Sequence, residues 1–375
     1  MLDRYVQSLS HSQILAALLH MSSQTSPHKQ TEAMNRDTCT SLHHAALSGQ
    51  TSAVELLLTT GASIEAMDKD ENTALHLAVW KSHTDVVELL LDKGASTQTI
   101  NKYFNTPLHL AAWSGHTGVA ELLLENGAWI EAKNKYDNSP LYLAAMKGHT
   151  SMVELLLGKG ALIRALCKDR NTLLHLAVRS GYIDTVNLLL GKGADIWTAN
   201  EYCHTSLHLA ACNGHTNVVG LLLKKSTWTR ARNIDFNTSL HLAAARGHAG
   251  VVELLLEKGA PVDSMGRFGH TLLHLTTLSG HTSVVVLLLK KGASVRDRHS
   301  NFNTSLHYAV QNGHAGVVGL LLEKGYSVEA VNKDYKTPLD LAAENDHAGI
   351  VQLLKNKAAG SIHETRHDTN LHTLP

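Results

Sequence analysis

The sequence predicts an all-α repeat solenoid. Three observations predict it: histidines on a 33-residue grid, a helix start and a glycine stop at fixed places in each unit, and helices too short to stand alone. When the 375-residue chain is folded back on that period, His43, His76, His109, His175, His208, His241, His274 and His307 fall in one column, each behind a leucine. Tyr142 and Asp340 hold the other two grid points, again behind Leu141 and Leu339. Seven residues later a second column holds His83, His116, His149, His215, His248, His281, His314 and His347, with Gln50 and Tyr182 at its remaining points. The two columns take 16 of the 26 histidines, and ten units follow without insertion or deletion. A period of this length marks a stack of supersecondary units.

Each unit is legible in chain order. Thr or Ser stands three residues before every grid point, the residue type that caps a helix by accepting a free backbone N–H. Pro107, Pro140 and Pro338 follow the cap directly, where a missing donor does no harm. Leu108, Ala111 and Ala112 then lie on one helical stripe, and the alanines permit close approach of the next helix. A Gly-His turn leads to a second helix ending in Leu122–Leu124, which Gly127 stops in a left-handed conformation. Two helices of about two turns cannot bury a core alone, so stacking must stabilise them.

At "TPLHLAA", residues 106–112, the unit resembles the ankyrin repeat, with its T-P-L-H-x-A signature and 33-residue period. The resemblance covers roughly residues 35–357. It implies stacked helix-turn-helix ankyrin repeats with projecting β-turn fingers and a concave face that binds other proteins. The expected organisation is a divergent cap helix and polar linker over 1–36, ten repeats over 37–357, and a degenerate tail or truncated eleventh repeat over 358–375. In the tenth unit Asp340, Asp346 and Lys355 replace histidine, turn glycine and leucine, as suits a polar terminal cap. In the sixth, Ser226 replaces the stop glycine and would cost about 1 kcal/mol if the left-handed turn were kept.

Composition excludes several function classes. Thirty-three basic residues balance thirty-three acidic ones, so the totals carry no electrostatic footprint for nucleic acid or an anionic membrane. No apolar run reaches the ~18 residues of a membrane span, and "ILAALLHM" (14–21) lacks the basic start and cleavage site of a signal peptide. Four cysteines without C-x-x-C spacing fit a reduced, cytoplasmic protein, with the nucleus as the alternative compartment. "HETRH", residues 363–367, matches the H-E-x-x-H zinc-protease string, but Asn370 stands where one such class has glycine, and the chain offers no domain to shield a site. Equivalent histidines in successive units sit a helix-packing distance of ~8–10 Å apart, so a column cannot converge on zinc; the resemblance makes these histidines structural. Asparagine hydroxylation, known in the family, has no target, because the relevant column (Glu65, Gln98, Glu131, Arg164, Trp197, Arg230, Asp263, Arg296, Glu329) holds no asparagine. The expectation is a non-enzymatic binder with no cofactor and no metal, acting as a monomer on a protein partner.

The surface is where this chain departs from its own pattern. The last turn of the first helix carries Leu47, Trp80, Trp113, Met146 and Arg179 in successive units, with Lys81 beside Trp80. Trp113 lies about 140° round from Leu108, off the core stripe. On the fingers, Phe104, Phe236, Phe302 and Tyr335 stand two residues before Thr, where the family pattern has glycine, and Tyr103, Tyr136, Tyr202 and Phe268 stand one earlier. Such aromatics either anchor a partner or stack on one another along the row. Trp80, Trp113, Tyr103 and Phe104 are expected to cluster as contact surface. The partner-binding candidates are Trp80, Lys81, Tyr103, Phe104, Trp113, Tyr136, Met146, Arg179, Tyr202, Phe236, Phe302 and Tyr335. The adjacent column has too few cations for single-stranded nucleic acid. The alternatives are a substrate-recruiting adaptor of a ubiquitin ligase or phosphatase and a zinc hydrolase built on His363, Glu364 and His367.

Overall fold

The structure is a computed structural model that describes residues 41–369 apart from 165, 227 and 295–300. The expected N-terminal cap and linker (1–36) lie outside the described residues. The chain divides into two compact units, Met1–Lys102 and Tyr103–Pro375. The first contains the helix pairs α1 (Ser41–Leu47) with α2 (Thr51–Thr59) and α3 (Ala74–Lys81) with α4 (Thr84–Asp92). The second begins with α5 (Pro107–Ser114) and α6 (Thr117–Glu125), α7 (Pro140–Lys147) and α8 (Thr150–Gly158), and α9 (Leu173–Ser180) and α10 (Ile183–Gly191). It continues through α11 (Ser206–Cys212) and α12 (Thr216–Lys225), α13 (Ser239–Ala245) and α14 (Ala249–Glu257), and α15 (Leu272–Leu278) and α16 (Thr282–Lys290). It closes with α17 (Ser305–Gln311) and α18 (Ala315–Glu323), then α19 (Pro338–Glu344) and α20 (Ala348–Thr369). No strand occurs among the described residues; the architecture is an all-α repeat solenoid.

Within each unit, first helices pack on first helices and second on second. In the second unit the Ala-Ala pairs let the first row pack more closely than the second. The stripe residues are sealed: Leu108, Ala111, Ala112, Val119, Ala120 and Leu123 are each at most 2% exposed.

The first histidine column makes this packing specific. Each histidine is 0% exposed and sits at the third position of its helix, where from His76 onward it completes a capping box usually made by Glu or Gln. Nδ1 of His208 accepts the Thr205 N–H at 3.2 Å, which requires the neutral ring with its proton on Nε2. Nε2 then donates to Asn237 O of the next finger at 3.2 Å. His109 joins Asn138 O at 3.0 Å, and His175 joins His204 O at 3.0 Å, in the same way. Burial holds the imidazoles of His175, His208 and His241 down to about 4. In the tenth unit, Asp340 Oδ2 takes over the capping half of the task, accepting Thr337 N–H at 2.8 Å.

The second column works at the turn. His281 Nε2 donates to Ala245 O of the preceding repeat at 3.1 Å, and its ring lies against Gly247. A Cβ on Gly247 would stand 2.6 Å from His281 Nδ1, and the residue has φ +77°. Gly247→Ala is therefore expected to cost about 2 kcal/mol or more, from clash and left-handed strain together, measured as a lower urea midpoint. An unchanged midpoint contradicts the packing described.

Ser226 escapes left-handed strain by adopting extended backbone (φ −157°, ψ 131°), while α12 runs to 10 residues against 9 for its neighbours. Helix α20 runs from Ala348 to Thr369, into the residues assigned to a degenerate tail or truncated eleventh repeat.

One substitution pair is compensated. Where Tyr142 replaces the column histidine, the next finger carries Cys167 in place of asparagine, and the two side chains hydrogen-bond. Burial raises both the phenol and the thiol.

Candidate protein-interaction surface

The fingers are built on an asparagine column that the sequence reading above does not include. Asn134 Oδ1 accepts the N–H groups of Tyr136 and Asn138 at 3.0 and 3.1 Å, and its Nδ2 donates to Asn105 Oδ1 of the preceding finger at 2.9 Å. Asn200 and Asn332 repeat the pattern, with Nδ2 donating to Asn171 and Asn303. Asn233 does so with His204 Nε2 as acceptor. Backbone bonds add one rung per finger: Lys135 N to Tyr103 O at 2.9 Å, Ile234 N to Tyr202 O at 3.1 Å and Lys333 N to Asn301 O at 2.9 Å.

This scaffold holds the tip residue, three after the asparagine, in left-handed backbone at Phe104, Phe236 and Tyr335; Phe302, which follows His299 at that spacing, adopts the same backbone. Phe104 (φ 60°), Phe236 (59°), Phe302 (60°) and Tyr335 (58°) all occupy it. For a bulky side chain that conformation costs about 1–2 kcal/mol. Burial does not repay it: the four are 50%, 60%, 52% and 87% exposed. Among the described residues no aromatic ring stacks on these four, so the alternative of a self-stacked row finds no contact here. Tyr136 is also exposed, while Tyr103 and Tyr202 are half-buried beside their tips.

The first-helix candidates sit at the ends of four successive first helices: Trp80 and Lys81 on α3, Trp113 on α5, Met146 on α7 and Arg179 on α9. Both tryptophans are half-buried under a lysine. Lys81 Nζ lies 4.3 Å from the Trp80 ring centroid, and Lys147 Nζ of the following repeat lies 3.8 Å from that of Trp113. Burial lowers the pKa of Lys147. The column's backbone is held by the second histidines, since His149 donates to Trp113 O and His215 to Arg179 O, each at 3.0 Å. Trp80 belongs to the first compact unit, whereas Trp113, Tyr103 and Phe104 belong to the second.

Three exposed tryptophans escaped the site prediction: Trp129, Trp197 and Trp228, at 64%, 46% and 57% exposure, in the turns after second helices. Among residues with described side chains, no group of three or more His, Cys, Asp or Glu converges as a metal site. No described helix is long and apolar enough to cross a membrane.

A solenoid of capped helix pairs tied through imidazoles, presenting fixed turns, defines a repeat module for protein–protein contact. The family model for ankyrin repeats, described as three copies, matches residues 5–101, 42–134, 129–200, 197–265, 240–332 and 297–368. The chain belongs to the ankyrin repeat family. Among curated proteins, none matches it.

Proposed function

We propose that the chain is a non-enzymatic scaffold or adaptor that grips a partner protein with its aromatic finger tips and the ends of its first helices. One observation carries this reading: large aromatics occupy exposed, left-handed tip positions where glycine would be cheaper and where packing gives nothing back. Strain kept at an exposed position points to selection for contact, and Phe, Tyr and Trp are the residues that anchor interfaces. The surface is preformed, because asparagine and histidine ladders hold both the tips and the helix ends before any partner arrives, which lowers the ordering cost of binding. The binding domain is residues 37–357, flanked by 1–36 and 358–375, and the proposed setting is a cytoplasmic monomer. Recruitment to a larger enzyme complex would fall to residues 1–36.

Affinity capture with mass spectrometry tests the helix-end half of this surface. Wild type is compared with Trp80→Ser/Trp113→Ser after a circular-dichroism melt has established that both fold. Specific partners are expected to vanish with the tryptophans. An unchanged partner set removes those two residues from the site.

A further inference from the structure

A different edge of the second unit carries a second surface. In the turns after the second helices, an acid of one repeat caps a backbone N–H of the next: Glu131 accepts from Leu162 N at 2.8 Å, and Asp263 from Ser294 N at 3.1 Å. In the three repeats between, that position holds Arg164, Trp197 and Arg230, none of which can accept such a bond. Exposed tryptophans stand in two of the turns concerned. Leu162 is 61% exposed, and Trp197 and Trp228 stand in contact, ring centroids 5.3 Å apart.

The charge around this bulk is predominantly positive. Arg164 and Arg230 flank it, and Lys192 and Lys225, at the ends of the preceding second helices, lead into it; all four are exposed. The acids here are tied by hydrogen bonds that leave their charge in place, so the excess is partial. Glu131 holds Leu162 N, while Asp195 accepts from Trp197 N at 2.9 Å and from the Thr198 hydroxyl at 2.8 Å. The chain's zero net charge hides this local excess.

We infer that this edge docks on an anionic lipid surface. Tryptophan and leucine at turn tips, each about half or more in water, suit insertion into a soft headgroup layer, and the flanking cations suit its negative potential. Leu162 disfavours the rival occupant, single-stranded nucleic acid, because an aliphatic side chain offers no plane for a base. Adsorption is peripheral and uses no spanning helix.

The test is flotation of the full chain with phosphatidylserine–phosphatidylcholine vesicles against phosphatidylcholine alone, with tryptophan emission recorded. Binding to the anionic vesicles, a blue shift and loss of both at high salt are expected. Trp197→Ser/Trp228→Ser should weaken binding roughly tenfold or more. The charge variant Arg164→Gln/Arg230→Gln, which leaves the apolar contact intact, should cost roughly fivefold per charge. Absence of binding, equal binding to neutral vesicles, or binding that both variants retain overturns the inference. So does an oligothymidylate that binds the same edge while anionic vesicles do not, which reassigns the surface to nucleic acid.

Discussion

Acidification from neutral pH is expected to strip stability from the second unit between pH 6.5 and 4, well before any partner contact is tested. His175, His208 and His241 titrate near 4 in the fold against 6.5 when unfolded, chiefly because burial disfavours the charged ring. Between those values the unfolded chain binds protons that the folded chain refuses, so stability rises with pH across the window. It is complete above 6.5 and lost as pH falls toward 4. Each histidine contributes about 3 kcal/mol, or about 10 kcal/mol for the three as an order of magnitude. Protonation also removes the acceptor that Nδ1 offers the capping threonine, so helix cap and repeat interface fail together. Urea midpoints across the window test this. A flat profile would mean that these rings are already charged or exposed.

Replacing Phe236, Phe302 and Tyr335 together with glycine is expected to move stability and binding in opposite directions. Glycine relieves the left-handed cost at each tip, and after its own entropy penalty the net gain is about 0.5–1 kcal/mol per site. The same change removes exposed aromatic anchors, and affinity for a captured partner should fall roughly tenfold or more per tip that the partner engages. Thermal melts and titration of that partner read the two effects separately. A variant that binds as wild type does would reduce the tips to idle strain; one that loses stability would mean the rings pack in solution.

Much of this was legible in the chain. The grid of histidines, the capping threonines and the turn glycines are backbone requirements repeated ten times, and a requirement met ten times stands out from composition. The asparagine column Asn101, Asn134, Asn200, Asn233 and Asn332 recurs at the same period and could have been read the same way. Interruptions at Asp68, Cys167, Gly266 and His299 obscure it. What periodicity could not supply is contact between departures from it. That Tyr142 meets Cys167, or that Trp197 meets Trp228 from columns two residues apart, depends on the offset between a turn and its neighbour, which no single column encodes. Ser226 illustrates a related limit. The sequence marks a missing glycine, but lengthening a helix by one residue is a backbone solution invisible in residue identity.

Amide hydrogen exchange of the full chain, alone and saturated with a captured partner, tests the central proposal most directly. New protection is expected at the finger tips around Phe104, Phe236, Phe302 and Tyr335 and at the ends of α3, α5, α7 and α9. Protection confined to the second helices, with every tip exchanging as in the free chain, would contradict it.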